Sequence, residues 1–136
     1  MKKKICVSGY FTILHKGHIT MFEEAKKLGD KLIVIVNNNE QQIRKKGKLI
    51  HDANDIKYIV ERLNIVDEVI IAIDEDKTVC KTLEMIKPNV FANGGDRTAD
   101  NVPEKEICER FDIEMVYNVG CEKTNSSSKL IEKVGL

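Results

Sequence analysis

Continuous apolar runs alternate with segments of helical periodicity along the whole chain of 136 residues. KLIVIV (31–36) is apolar on both faces, as a parallel strand covered by helices on both sides should be. The predicted strands are 4–9, 31–36, 67–73, 89–95 and 113–119. The predicted helices are 18–28, 52–63, a segment from Val79 to Ile86 that stops at Pro88, 103–111 and a last one that opens at Ser126. A polar loop is predicted over 37–51.

This alternation predicts an α/β fold, a Rossmann-like three-layer sandwich with a five-stranded parallel sheet, in one domain over 1–136. In such sheets, ligands bind beyond the carboxyl ends of the strands. The segments that leave the predicted strands are rich in Gly, His, Lys, Arg, Asn and Ser. We therefore expect them to converge on one site.

Composition narrows the class of protein. Lys and Arg number 22, Asp and Glu also number 22, and aromatic residues make up 5% with no Trp. Neither a net positive charge nor an aromatic surface for base stacking favours nucleic acid as a partner. No run reaches the ~18 apolar residues of a membrane span, and the four cysteines form no CxxC pair. These features predict a cytoplasmic protein with reduced thiols and neither a nucleic-acid nor a membrane partner.

The stretch FTILHKGHITMF places His15 and His18 around Gly17, where the first predicted helix begins. Helix N-termini attract anions, and two imidazoles there can donate hydrogen bonds to phosphate oxygens. Gly17 would let a ligand approach the backbone. Metal chelation and a purely structural role are the alternatives, although the adjacent Lys16 disfavours a cation.

Three other segments contribute candidate phosphate-binding groups. They are Arg44 to Lys48 with its lysines Lys45 and Lys46, the pair Gly94 and Gly95 ahead of Asp96, and Ser126, Ser127 and Ser128 at the start of the last predicted helix. A solvated charged face, a tight turn and a simple N-cap are the respective alternatives. Together with the histidine pair, these groups favour a substrate with several phosphates.

GYFTILHKGH resembles the HxGH signature of the cytidylyltransferase-like nucleotidyltransferases, and KTNSSSKLI resembles their second signature. The resemblance covers essentially the whole chain and implies that His15, His18 and Lys46, or its neighbour Lys45, are catalytic. It also implies that the nucleotide and its phosphates contact Gly9, Tyr10, Phe11, Gly17, Lys45, Gly94, Asp96 and Ser126 to Ser128. Mg²⁺ would be bound through the triphosphate.

Some positions depart from the family pattern. Thr12 stands where the family usually has Asp, and Ile56 stands where a common Glu-Arg pair has its Arg. A fragment of a class I aminoacyl-tRNA synthetase, a coenzyme-type adenylyltransferase and a non-catalytic nucleotide-binding protein are the competing interpretations. The chain is short and has no basic RNA-binding face, and Lys129 rather than Arg follows the serines, which weighs against the first two.

The resemblance implies transfer of a nucleoside monophosphate from a nucleoside triphosphate to a small phosphorylated alcohol or sugar, with release of pyrophosphate. Stand-alone length favours CTP as the donor by a small margin. ATP, with a sugar 1-phosphate or FMN as acceptor, is the alternative. A homodimer is expected from the resemblance.

Overall fold

Five parallel strands form one sheet in a computed structural model that describes residues 3–12, 14–76, 78–93, 103–117 and 119. The strands are β1 (Lys4–Gly9), β2 (Lys31–Val36), β3 (Glu68–Ile71), β4 (Val90–Ala92) and β5 (Glu114–Val116). The helices are α1 (Lys16–Lys26), α2 (Asn39–Lys46), α3 (Ala53–Glu61), α4 (Cys80–Ile86) and α5 (Lys105–Arg110). This arrangement confirms the predicted Rossmann-like α/β class.

The strand order is β3-β2-β1-β4-β5, so the direction of sheet growth reverses between β1 and β4. β1 pairs with β2 along its full length, from Lys4 opposite Lys31 to Gly9 opposite Val36. On its other side β1 pairs with β4, with Ile5 opposite Val90. The carboxyl ends of β1 and β4 therefore border the topological switch point, where open α/β sheets bind their ligands.

Two apolar cores cover the two faces of the sheet. On one face, α1 and α3 contribute Phe22, Ile56 and Val60. On the other face, α4 and α5 contribute Leu83 and Cys108. Strand residues alternate between these cores, which explains why β1 and β2 are apolar without interruption. The three layers were predicted from this pattern.

The prediction of a polar loop over 37–51 is wrong in part, because Asn39–Lys46 forms α2. Its eight residues have almost no apolar periodicity, so the pattern gave no sign of a helix. Polar contacts define it instead. Asn38 caps its amino end, with Oδ1 accepting from the Gln41 N–H at 2.9 Å, and Gly47 ends it with a φ of 81°.

Two glutamines that are completely buried fix α2 against the rest of the molecule. The Gln41 amide donates to the carbonyls of Asp76 at 2.6 Å and Thr78 at 2.7 Å, and its Oε1 accepts from Asn37 and Asn38. Gln42 donates to the His51 carbonyl and accepts from the backbone of Ile50 and His51. The basic end of α2 is thus held in place from two sides.

The last predicted helix, which opens at Ser126, lies outside the described residues, as does the end of the fourth predicted strand, and the fifth predicted strand ends at Val116. β1 and β2 have the predicted bounds, α1 begins and ends two residues earlier than predicted, and the other predicted elements are present with shorter bounds. Within the described part of the chain, no helix is long and apolar enough to cross a membrane.

Replacing Gln41 should show how much the polar anchoring of α2 contributes to stability. We expect Gln41→Ala to lower the free energy of unfolding by about 2 to 3 kcal/mol. The substitution leaves the hydrogen-bond partners of both the amide nitrogen and the amide oxygen unsatisfied. Ile43→Ala, on the exposed face of the same helix, should change it by less than about 0.5 kcal/mol. Urea unfolding measures both; equal effects would contradict the anchoring role.

Candidate active site

The candidate site begins in the segment that leaves β1 and enters α1, beside the switch point of the sheet. The Gly9 carbonyl accepts from the Asn37 N–H at 3.0 Å, which ties the end of β1 to the segment that follows β2. The chain then passes through Tyr10 and Phe11 to reach His15 at the amino end of α1. The predicted first phosphate-binding segment therefore lies where the fold favours a ligand.

His15 and His18 cap α1 reciprocally through their Nδ1 atoms. His15 is the N-cap residue, and its Nδ1 accepts from the Gly17 N–H at 3.1 Å. His18 is the third residue of the helix, and its Nδ1 accepts from the His15 N–H at 3.2 Å. The arrangement is a capping box built from imidazoles in place of the usual hydroxyl and carboxylate.

These contacts set the tautomer of both rings. An Nδ1 that accepts a backbone hydrogen bond carries no proton, so each neutral ring carries its proton on Nε2. The ring centroids lie 4.0 Å apart at an angle of 34°. His15 Nε2 is buried and has no hydrogen-bond partner in the described part of the structure. The pair thus holds N–H donors for an anion, with both Nδ1 atoms already engaged by the backbone.

Phe11 supports His18 from the side. Its ring makes edge contacts with His18 at a centroid distance of 5.1 Å and with Phe22 at 5.5 Å. Phe11 has a φ of 50°, a left-handed backbone that is uncommon for a large side chain and is held here by burial. A Cβ at Gly9 would lie 2.7 Å from the Phe11 ring, so packing already accounts for the glycine.

The two candidate lysines of α2 have different surroundings. Lys45 Nζ lies 4.4 Å from the centroid of the Tyr10 ring, a cation–π contact that joins the basic end of α2 to the first segment. Lys46 is half-buried, and desolvation lowers the pKa of its ammonium. The structure therefore brings α2 to the histidine segment through Lys45 and Tyr10.

Five of the predicted site residues lie outside the described residues. They are Gly94, Asp96, Ser126, Ser127 and Ser128. Asn93, which follows β4 directly, is buried, and its N–H donates to the Val116 carbonyl at 2.7 Å. The described part of this segment therefore joins β4 to β5 at the carboxyl end of the sheet.

The described part of the site offers hydrogen-bond donors more than metal ligands. No group of three or more His, Cys, Asp or Glu side chains within the described residues is arranged to hold a metal ion. The chemistry of N–H and ammonium groups suits an anion.

A protein-family model described as cytidylyltransferase-like matches residues 6–133. The chain belongs to the cytidylyltransferase-like family. This finding confirms the family identified from the two signatures, and with it the prediction that the protein is a nucleotidyltransferase.

Several members of the cytidylyltransferase-like family resemble this chain over most of its length. The FAD synthase of Ferroglobus placidus is 39% identical over 97% of this chain and 88% of its own length. The bifunctional protein HldE of Geobacter metallireducens is 34% identical over 98% of this chain, which spans only 28% of that protein. The crystal structure of a lipopolysaccharide core biosynthesis protein from Thermoplasma volcanium matches with a TM-score of 0.71, 30% identity and coverage of 86% and 96% of the two chains.

The contribution of His15 to stability should depend on pH. Burial lowers the pKa of His15 below 6.5, so the unfolded chain takes up a proton at this residue more readily than the folded chain. The free energy of unfolding should therefore fall as the pH drops from about 6.5 through the folded pKa.

His15→Asn keeps a cap acceptor and removes the titrating group, so its free energy of unfolding should fall less over that range. Urea unfolding of both proteins between about pH 7.5 and about pH 5 measures the difference. A wild-type protein that loses no more stability than His15→Asn would contradict the assigned environment.

Proposed function

We propose that the protein is an adenylyltransferase that joins ATP and FMN to form FAD and pyrophosphate. The observation that carries this proposal is the similarity to FAD synthases along nearly the whole of both chains, at 39% and 30% identity. The geometry supports the reaction type, since two histidines with protonated Nε2 atoms cap a helix at the switch point of the sheet.

The choice of ATP over CTP rests on the similar proteins and not on chain length. Stand-alone length alone favours CTP, but the FAD synthases are of similar length, since this chain covers 88% and 89% of them. Length therefore does not separate a CTP enzyme from an ATP enzyme in this family. The relatives named for an adenine dinucleotide product favour ATP.

In the proposed reaction, a phosphate oxygen of FMN attacks the α-phosphorus of ATP in line. The new P–O bond forms as the bond to the bridging α–β oxygen breaks, and pyrophosphate leaves with that electron pair. A phosphomonoester has its second pKa near ~6, so the nucleophile is mostly deprotonated at neutral pH and needs no strong base. The main barrier is repulsion between anions, which positioned donors reduce.

We assign the residues of the site to reducing this repulsion between anions. Nε2–H of His15 and of His18 would donate to phosphate oxygens, and the positive end of the α1 dipole, where Gly17 lies, would add to the field. Lys46 or Lys45 would neutralise charge that develops on the pyrophosphate. ATP enters as its Mg²⁺ complex, with the ion carried by the triphosphate. The remaining proposed nucleotide contacts are made by Gly9, Tyr10, Phe11, Gly94, Asp96 and Ser126 to Ser128.

A second candidate is adenylyl transfer to a sugar 1-phosphate. It is favoured by the similarity to HldE proteins, at 33% to 35% identity, and to the Thermoplasma structure named for lipopolysaccharide core biosynthesis. The chain spans only 27% to 28% of those HldE proteins, whereas it spans most of the FAD synthases. We therefore rank FMN ahead of a sugar phosphate.

Three further features remain proposals. They are a homodimer, a cytoplasmic location and a single domain over 1–136.

The donor and acceptor can be identified in one assay. The purified protein is incubated with Mg²⁺, with ATP or CTP, and with FMN or a hexose or heptose 1-phosphate. Chromatographic separation of FAD from FMN, together with pyrophosphate release, reports the product. FAD formed from ATP and FMN supports the proposal. Pyrophosphate release only with a sugar phosphate, or only with CTP, would contradict it.

Loss of the His18 donor should slow the chemical step. We expect His18→Ala to lower kcat by about 100- to 1000-fold, the usual effect of removing one donor to transition-state charge. Because His18→Ala also removes a cap acceptor, His18→Glu serves as a matched variant that restores the capping box without a donor. It should recover stability but not rate.

His51→Ala, outside the site, should retain wild-type turnover, since only the backbone of His51 contacts Gln42. Turnover by His18→Glu at the wild-type level would show that His18 acts only as a cap.

A further inference from the structure

Thr12 carries a buried hydroxyl that the fold does not use. The residue is only 4% exposed, and its Oγ1 has no hydrogen-bond partner in the part of the chain that the structure describes. Burying a hydroxyl without a partner costs free energy, so such groups are rare in folded proteins and call for an explanation. The packing of the apolar core gives none.

The same segment contains a second orphaned group. His15 Nε2, three residues further along, is also buried and also lacks a partner among the described residues. The Nδ1 atoms of His15 and His18, by contrast, both accept backbone N–H groups. Two unsatisfied groups in one short segment at the switch point of the sheet therefore indicate a missing ligand.

The surroundings identify the chemistry of that ligand. His15 Nε2 is a donor, the positive end of the α1 dipole lies at His15, and Lys45 lies against the neighbouring Tyr10. A site made of donors and a cation lacks an acceptor with negative charge. A hydroxyl can act as a further donor to such an acceptor, whereas a carboxylate at the same position would repel it.

We propose that Thr12 is a substrate-binding residue whose Oγ1–H donates to a phosphate oxygen in the site that His15 Nε2–H also serves. The inference rests on the proposed function in taking that oxygen from the nucleotide or from the phosphorylated acceptor. Phosphate is the chemistry common to both sources. Thr12 thus replaces an acidic side chain of the family pattern with a donor, and it adds to the anion-binding capacity of the segment.

Thr82 provides a matched control for the substitution. It is also fully buried, but its hydroxyl donates to Asp74 Oδ1 at 2.6 Å and accepts from the Ile73 N–H at 3.0 Å. Replacing either threonine with valine keeps the shape and removes the hydroxyl. The two substitutions should have opposite effects on stability, because only one hydroxyl is satisfied without ligand.

The test measures thermal stability and ligand binding separately for Thr12→Val, Thr12→Ser and Thr82→Val. Without ligand, Thr12→Val should raise Tm by about 2 to 5 °C, and Thr82→Val should lower it. The Kd of a phosphate-bearing ligand should rise about 10- to 100-fold in Thr12→Val, the usual loss for a hydrogen bond to a charged group, and change little in Thr12→Ser.

Titration calorimetry with MgATP, inorganic triphosphate and FMN as separate ligands distinguishes the two sources. Weaker MgATP and triphosphate binding assigns the contact to the nucleotide, and weaker FMN binding assigns it to the acceptor phosphate. Unchanged Kd values for all three in Thr12→Val would overturn the proposal, as would a Thr12→Val protein less stable than Thr12→Ser. Because these readouts need no product, absence of FAD synthesis by the wild-type protein would contradict the proposed function alone.

Discussion

The reciprocal capping of α1 by His15 and His18 is the interaction on which the candidate site depends. Each Nδ1 accepts a backbone N–H, so the helix begins at a defined residue and each ring takes one tautomer. The same contacts that stabilise the helix therefore leave the proton of each neutral ring on Nε2. Local structure and the proposed chemistry share one set of hydrogen bonds, and a substitution at either histidine affects both.

The rest of the fold places this capping box where a ligand is expected. β1 is central, and the order of strands reverses beside it, so the segment that leaves β1 lies at the switch point. Phe11 packs on both His18 and Phe22, which couples the ring of a histidine to the apolar core. On the other side, the buried glutamines of α2 fix the helix whose Lys45 lies over Tyr10. Positioning by rigid elements is what anion stabilisation requires.

Much of this architecture follows from the sequence pattern, and the exceptions have physical reasons. β1 and β2 have the predicted bounds because apolar residues on both faces identify a buried parallel strand. α2 was missed because its buried side chains are amides, which carry no apolar periodicity. The sequence pattern predicts His15 and His18 as phosphate ligands but does not predict their tautomers. The tautomers depend on capping contacts that only the three-dimensional structure reveals. The orphaned hydroxyl of Thr12 is equally invisible in a pattern, since burial and hydrogen bonding are properties of the fold.

The assignment on which the candidate site depends is that both imidazole rings carry a proton on Nε2 and none on Nδ1. It is tested most directly by ¹⁵N NMR of the histidine side chains in the protein without ligand at neutral pH, with His15→Asn and His18→Glu used for assignment. We predict that Nδ1 of both rings resonates as an unprotonated nitrogen and Nε2 of both as a protonated one. A proton on Nδ1 of either ring would contradict the capping box and the donor pair derived from it.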